Sequence, residues 1–276
     1  TADTIMRILA LDIDGTLITS QHVLTEPVRN ALIRAQRDYD IRIALASGRP
    51  TAALGHLAAA LELKTYGGYL LPFNGGKLIA AATGEEVLSE TVLDADLIPQ
   101  LYDLTQRYDL NILSYTEDTI LSERSDDPYA VKEIDITGMA LEVVPDFRAL
   151  SALKLPKCLA VGPKDKLIPL EAEAKALLGD RIDAFRSSDF FLELVPKGID
   201  KGAALGRLLE LLGLTPEALI AMGDNYNDLG MLRLAGTSVA MGNAPEDIKA
   251  VASYVTRTNN EDGVAYALEE LVFARS

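Results

Sequence analysis

The sequence is short of several things that chemistry often draws on. Cysteine occurs once, at Cys158. A single thiol excludes an internal disulfide and fits a reducing compartment, so the protein is expected in the cytoplasm. Its surroundings, "KCLAV", are apolar, and Cys158 reads as core packing rather than as a nucleophile. Histidine occurs twice, as His22 in a polar loop and His56 beside Leu57 on a helical pattern. Neither has a serine partner, which leaves out a serine–histidine nucleophile. Positive charge is scarce too: 26 Lys and Arg stand against 41 Asp and Glu, for a net charge of −15. That argues against nucleic acid as a partner, because Lys and Arg must neutralise its phosphates. A small anionic substrate stays open, since a bound divalent cation reverses the local field. No apolar run approaches the roughly 18 residues of a membrane span. The N-terminus shows no basic segment followed by an apolar stretch and a cleavage site, so no signal peptide is expected. Thr1 cannot be an initiator, which leaves Met6 or a removed upstream residue as the natural start. Repeats and low-complexity segments are absent.

What is present is an ordinary soluble composition, 49% hydrophobic and 24% charged over 276 residues. That length suits one large domain or a core with an insertion. The first eighty residues alternate between strand and helix patterns. "MRILAL" (6–11) and "IRIALA" (41–46) have strand length, and "TEPVRNALIRAQRD" (25–38) between them has a helical period. Thr25 is placed to cap that helix and Pro27 to begin it. A second helix is predicted from Thr51 to Leu63, then a strand and turn in "YLLPFNGG" (69–76). The same rhythm returns in the last third, with a helix at about 201–212 and strands at "LIAMGD" (219–224), "TSVAMG" (237–242) and "SYVTR" (253–257). Helix starts are predicted at Asn225, Pro245 and Asp262. The middle is different, with half-apolar segments broken by helical patterns at 95–108 and 164–178. The expected architecture is therefore α/β: a Rossmann-like, doubly wound parallel sheet from 1–82 and 191–276, with an inserted α+β domain at 83–190.

Four polar clusters follow predicted core strands or open helices, and in an open parallel sheet such places converge. They are Asp12-Ile13-Asp14-Gly15-Thr16, Ser47-Gly48-Arg49, "PKGIDKG" (196–202) with Lys201 opening a helix, and "GDNYND" (223–228) with Asp224 and Asp228. Asp12 and Asp14 are set so close that their charges repel unless a cation sits between them. Oxygen donors of this kind suit Mg²⁺. Lysine, hydroxyl and backbone amides suit a phosphoryl group. The chemistry this implies is Mg²⁺-assisted phosphoryl transfer. A carboxylate nucleophile needs no base, so Asp12 could attack phosphorus while Asp14 handles the proton.

In these motifs the chain resembles the haloacid dehalogenase (HAD) superfamily of Mg²⁺-dependent phosphatases. "DIDGT" matches the family's DxDGT, "SGR" its second motif, Lys201 its third and "GDNYND" its GDxxND. The motif order and the long insertion resemble the Cof-type branch with a C2-type cap, which includes bacterial sugar phosphatases. The likeness extends to turns such as "FNGG" (73–76) and "EDGVA" (261–265). It implies Asp12 as nucleophile and metal ligand, and Asp14 as acid/base that binds metal through its backbone carbonyl. Asp224 would complete the metal site, with Asp228 a ligand through water or an orienter of the others. Ser47, the Gly48 and Ile13 amides, Lys201 and Asn227 would hold the phosphoryl group. The aspartate at Asp14 points to a phosphatase or phosphomutase, since relatives that cleave carbon–halogen bonds or pump ions lack it.

The function expected is hydrolysis of small phosphomonoesters, sugar phosphates among them, with the insertion as a cap that selects the leaving group. A phosphomutase would share all four motifs. A receiver-like regulatory phospho-acceptor would also pair acidic residues with a lysine, but it is about half this length and has no cap. The plainer alternatives are a capped strand-to-helix turn at Asp12–Asp14, an ordinary turn at Ser47–Gly48, and packing or a carboxylate contact for Arg49. Lys197 reads as a solvated loop charge, and Phe190 and Phe191 as packing. Tyr115, Glu117, Arg124 and Arg186 of the insertion could face substrate.

Overall fold

A computed structural model describes residues 5–275; Thr1 lies outside them. The first two apolar runs form strands β1 (Arg7–Leu11) and β2 (Ile41–Ala46), paired in parallel with Leu9 opposite Ile43. A parallel pair needs a crossover, which the helix Glu26–Tyr39 supplies. Extended Thr25 caps it, its side chain accepting from the Val28 N–H, and Pro27 lies in the first turn. Asp40, left-handed at φ 50°, ends it one residue before β2. Beyond β2 come β3 (Tyr69–Leu71), β4 (Leu78–Ala80) and β5 (Glu86–Leu88).

The helix expected over 51–63 is broken into pieces: a 3₁₀ turn at Thr51–Ala53 and short helices at Gly55–Ala60 and Leu63–Tyr66. The interruption at Glu62 is a left-handed backbone (φ 56°), which no α-helix can continue through.

Six strands follow in the insertion: β6 (Asn111–Tyr115), β7 (Thr119–Ser122), β8 (Ala140–Val143), β9 (Cys158–Val161), β10 (Ile182–Ser188) and β11 (Phe191–Pro196). The chain then returns through β12 (Leu219–Gly223), β13 (Thr237–Ala240) and β14 (Tyr254–Val255).

The described chain forms two compact units. The first comprises the chain up to Arg49, Leu54–Ser89, and the chain from Asp200; the second comprises Pro50–Ala53 and Glu90–Ile199. The breaks thus fall seven to nine residues later than the expected 82/83 and 190/191, for a reason visible in the pairing. β5 joins the first sheet through Leu88 opposite Leu78, whereas β11 pairs with β9 in the second.

The first unit's sheet runs β14-β13-β12-β1-β2-β3-β4-β5, parallel as far as β3 and antiparallel at the β4–β5 edge. Both faces of β1 are buried, as a doubly covered parallel sheet demands. Leu9 and Leu11 pack with Leu32 and Ile43 on one side, Ile8 and Ala10 with Leu205 and Leu208 on the other. Strand order reverses between β1 and β12, and Asp12 and Asp224 leave the carboxyl ends of those two strands. That is the switch point where such sheets bind ligands.

The second unit's sheet runs β10-β11-β9-β6-β7-β8 and is antiparallel except for β7 and β8. The helix Pro128–Thr137 makes that one parallel crossover, and the periodic patterns of the middle region do not predict it. Its signals are nevertheless in the sequence. Asp127 caps it by accepting from Tyr129 and Ala130, Pro128 begins it, and Gly138 ends it at φ 70°. Cys158 is buried in this unit's core with Ile112, Leu101 and Leu170, and burial pushes its thiol up to about 12.

Candidate active site

Asp12 is the first residue past β1 and is nearly buried, at 5% exposure. The turn after it closes on itself, with the Leu17 N–H donating to the Ile13 carbonyl at 3.0 Å. Gly15 is left-handed at φ 79°, and a Cβ there would overlap the Asp224 carboxyl, so no side chain is tolerated at that point. Thr16 turns its hydroxyl onto the same carboxyl, donating to Asp224 Oδ1 at 2.9 Å.

Lys201 opens the helix Lys201–Leu211 and is fully buried. Its Nζ lies 2.9 Å from Asp12 Oδ1 and 2.7 Å from Asp228 Oδ1. The other oxygen of Asp228 accepts the backbone N–H groups of Asp224 (2.9 Å) and Asn225 (3.1 Å). Asp228 is therefore committed on both sides, one oxygen to the lysine and the other to the loop. Asn225, predicted to start a helix, caps the 3₁₀ turn Tyr226–Asp228 in a capping box with Asp228.

Carboxyl oxygens of Asp12, Asp224 and Asp228 all lie within 4.8 Å of one another. Three carboxylates face one ammonium, which leaves two negative charges to be met. Burial and then Asp228 hold the Asp12 carboxyl well above the usual carboxylate range, with Lys201 pulling the other way. Asp224 is pushed up to about 6, first by burial and then by Asp228. For Lys201, burial acts to lower the proton affinity, but Asp12 and Asp228 outweigh it and hold the ammonium above the ordinary lysine range. The donors are all hard oxygens with an excess of negative charge, which fits a divalent cation such as Mg²⁺.

Asp14 is directed differently. Its carboxylate accepts Arg49 Nε at 2.8 Å and Nη2 at 2.6 Å, a two-pronged pair, and His22 Nδ1 is 3.7 Å away. Arg49 is buried (6% exposed), so it meets the second reading offered for it, a neighbouring carboxylate. Ser47, also buried, stands past β2 with its Oγ accepting the Arg49 N–H at 3.0 Å. Gly48 lies between the two. Asn227 donates from Nδ2 to Asn74 Oδ1 at 3.1 Å.

The described structure thus places Asp12, Lys201, Asp224 and Asp228 in mutual contact, with Thr16 attached to Asp224. Asp14 is tied to Arg49 instead, and Asn227 to Asn74. Thr16, Asn74 and His22 escaped the sequence reading of the site. The threonine stood inside "DIDGT" and was read only as part of a turn; Asn74 shows itself only through Asn227, 153 residues away, and His22 only through the way the chain folds back on Asp14. In the second unit, Lys197 pairs with Asp183 at 3.0 Å on the surface, and Tyr115 is buried with its hydroxyl on Glu133. Arg124 donates to Gln106 at 3.0 Å, and Arg186 lies near Glu171.

The sequence profile of the haloacid dehalogenase-like hydrolases matches residues 9–268. The chain belongs to this family. A solved haloacid dehalogenase-like hydrolase from Bacteroides thetaiotaomicron is 44% identical and superposes with a TM-score of 0.90, over 97% of this chain and all of that one. The HMP-PP phosphatase of Enterobacter sp. is 31% identical over 249 residues, with 90% of this chain and 89% of that protein covered. The 5-amino-6-(5-phospho-D-ribitylamino)uracil phosphatase YcsE of Bacillus subtilis is 28% identical over 98% of this chain and 97% of its own. The expected HAD-like α/β fold and phosphatase class both hold: this is a hydrolase of phosphoric monoesters. Among the described residues no helix is long and apolar enough to cross a membrane.

Proposed function

We propose that this phosphatase hydrolyses small phosphorylated metabolites, sugar phosphates among them, by way of an aspartyl-phosphate on Asp12 and with Mg²⁺ as its cation. The observation that carries the reading is the charge imbalance around Asp12. A carboxyl must be ionised to attack, whereas burial and the crowding by Asp228 and Asp224 raise the proton affinity of Asp12 against the pull of one lysine. Asp12 and Asp224 would hold Mg²⁺, with the Asp14 backbone carbonyl, and the cation would supply the positive charge that keeps Asp12 ionised. Asp228, engaged by Lys201 and by two backbone amides, acts as the orienter.

In the first step an Asp12 oxygen forms a bond to phosphorus, the bond from phosphorus to the leaving oxygen breaks, and Asp14 gives that oxygen its proton. In the second, Asp14 takes a proton from water, the water oxygen bonds to phosphorus, and the Asp12–phosphorus bond breaks to release inorganic phosphate. Arg49 holds the Asp14 carboxylate by two hydrogen bonds for both proton transfers. Ser47, the Gly48 and Ile13 amides, Lys201 and Asn227 bind the phosphoryl oxygens. The Glu90–Ile199 insertion is assigned the choice of leaving group, the part a cap plays in the family the chain resembles. A phosphorylated ribityl compound in the name of one relative supports substrates of this kind.

The test is a phosphate-release screen over sugar phosphates, nucleotides and cofactor phosphates with Mg²⁺ present. Turnover should appear with a subset of these, vanish on chelation, and vanish in Asp12→Asn without loss of fold. Near-normal activity of Asp12→Asn would overturn the mechanism, and an isomer formed in place of free phosphate would make the chain a mutase.

A further inference from the structure

The turn after β3 is strained in an informative way. Phe73 (φ 53°) and Asn74 (φ 57°) are consecutive and both left-handed, although neither is glycine. Asparagine enters that region at modest cost, but phenylalanine does not, and the adjacent pair is uncommon. Such a backbone persists only where the surroundings over-determine it. Here the Phe73 N–H donates to the Arg49 carbonyl at 3.0 Å, and the Asn74 N–H to the Ser47 carbonyl at 2.8 Å. The same turn packs against the helix that Lys201 opens. Two backbone bonds therefore lace this turn to the loop that carries Ser47, Gly48 and Arg49.

The Asn74 side chain is 2% exposed, and its Oδ1 accepts from Asn227 Nδ2. An amide nitrogen carries two N–H groups, so committing one of them to Asn74 fixes the direction of the other. Asn74 Nδ2 is itself one of three buried side-chain polar atoms without a partner among the described residues. Glycine would fit this backbone better and leave no orphaned donor. What glycine cannot supply is the oxygen that Asn227 meets.

We infer that Asn74 is a positioning residue of the phosphoryl site, its side-chain oxygen aiming the Asn227 amide while its backbone N–H anchors the Ser47 loop. The inference rests on the phosphoryl-binding role proposed above for Asn227 and Ser47.

Asn74→Gly separates the two contributions, because it keeps the left-handed backbone and its N–H while removing the amide. Asn74→Gly, Asn227→Ala and the double variant would be compared with the parent chain in hydrolysis of an aryl phosphate with Mg²⁺. Inhibition by inorganic phosphate and thermal melting would be read alongside. Asn74→Gly should fold normally, lower kcat/KM about tenfold and weaken phosphate inhibition by a similar factor, the scale of one hydrogen bond to a charged group. The double variant should be no worse than Asn227→Ala alone, since Asn74 acts through Asn227. A merely structural residue would instead give losses that multiply. Multiplied losses, or an Asn74→Gly enzyme within about twofold of the parent, would overturn the inference. A parent chain that releases no phosphate from any monoester would overturn the proposed function, and the inference with it.

Discussion

Each unit of this chain buries a group of charges, and the two groups differ in how they balance. In the second unit Lys157 meets Glu193 at 2.9 Å, with both side chains almost wholly out of solvent, and Tyr115 gives its hydroxyl to Glu133 at 3.0 Å. Two carboxylates there face one ammonium and one tyrosine hydroxyl. In the first unit Lys201 serves Asp12 and Asp228 together, while the Asp224 carboxyl is met by the Thr16 hydroxyl. Removing charge from water is costly, and a protein recovers that cost only by pairing. The second unit's cluster carries one negative charge in excess and the first unit's two, and the larger excess is the one at the candidate site.

The contrast is sharpest for the two lysines. Lys201→Met should lower phosphate release about a thousandfold, since it removes charge from the reacting group. Lys157→Met should leave turnover of the folded protein unchanged but lower stability by about 3–5 kcal/mol, because Glu193 is left buried and unpaired. Denaturant melts and kinetics on the same samples measure both. A Lys157→Met enzyme that folds but has lost turnover would break the comparison.

Acidity probes the mismatch directly. Asp224 is raised from 3.8 to about 6 in the folded chain without a cation, so between those two pH values the folded state retains a proton there that the unfolded state releases. Its contribution to stability is full below about 3.8 and is lost as pH climbs through 6, a difference of up to about 3 kcal/mol. A divalent cation competes for the ionised form. Mg²⁺ should therefore raise the melting temperature more at pH 8 than at pH 5 in parallel chelated and loaded samples. An equal increment at both would remove the carboxyl cluster as its binding site.

The smallest effect comes from one substitution made in both units. Gly15 and Gly138 are both left-handed, at φ 79° and 70°. A methyl group at Gly138 meets nothing within 4 Å, whereas at Gly15 it overlaps Asp224. Gly138→Ala should cost about 1 kcal/mol of stability with unchanged turnover. Gly15→Ala should carry that backbone cost and, by displacing the Asp224 carboxyl, a further loss of stability and of turnover, as kinetics beside melts would show.

Much of this was legible in the residues. The runs "RILAL", "IRIALA" and "LIAMG" could only be buried strands, and the polar clusters after them had to gather at the carboxyl ends of a parallel sheet. The end of the helix over 51–63 was misjudged because apolar periodicity does not register a left-handed residue such as Glu62, and the period does not distinguish the 3₁₀ turn at Thr51–Ala53 from α-helix. The helix Pro128–Thr137 was missed because its Asp-Pro start and Gly end are stronger signals than its period. Arg49 stood between two readings until its guanidinium was placed on Asp14, 35 residues away in sequence.

Sequence alone was enough for the fold class, the family and the four motifs, because hydrophobic period and short-range spacing are local properties that survive without coordinates. Which carboxylates share Lys201, which oxygens of Asp228 are already taken, and that Asn74 meets Asn227 across a separation of 153 residues were matters for the tertiary structure. Those are facts about distance and burial, and the energy of a charge depends on both.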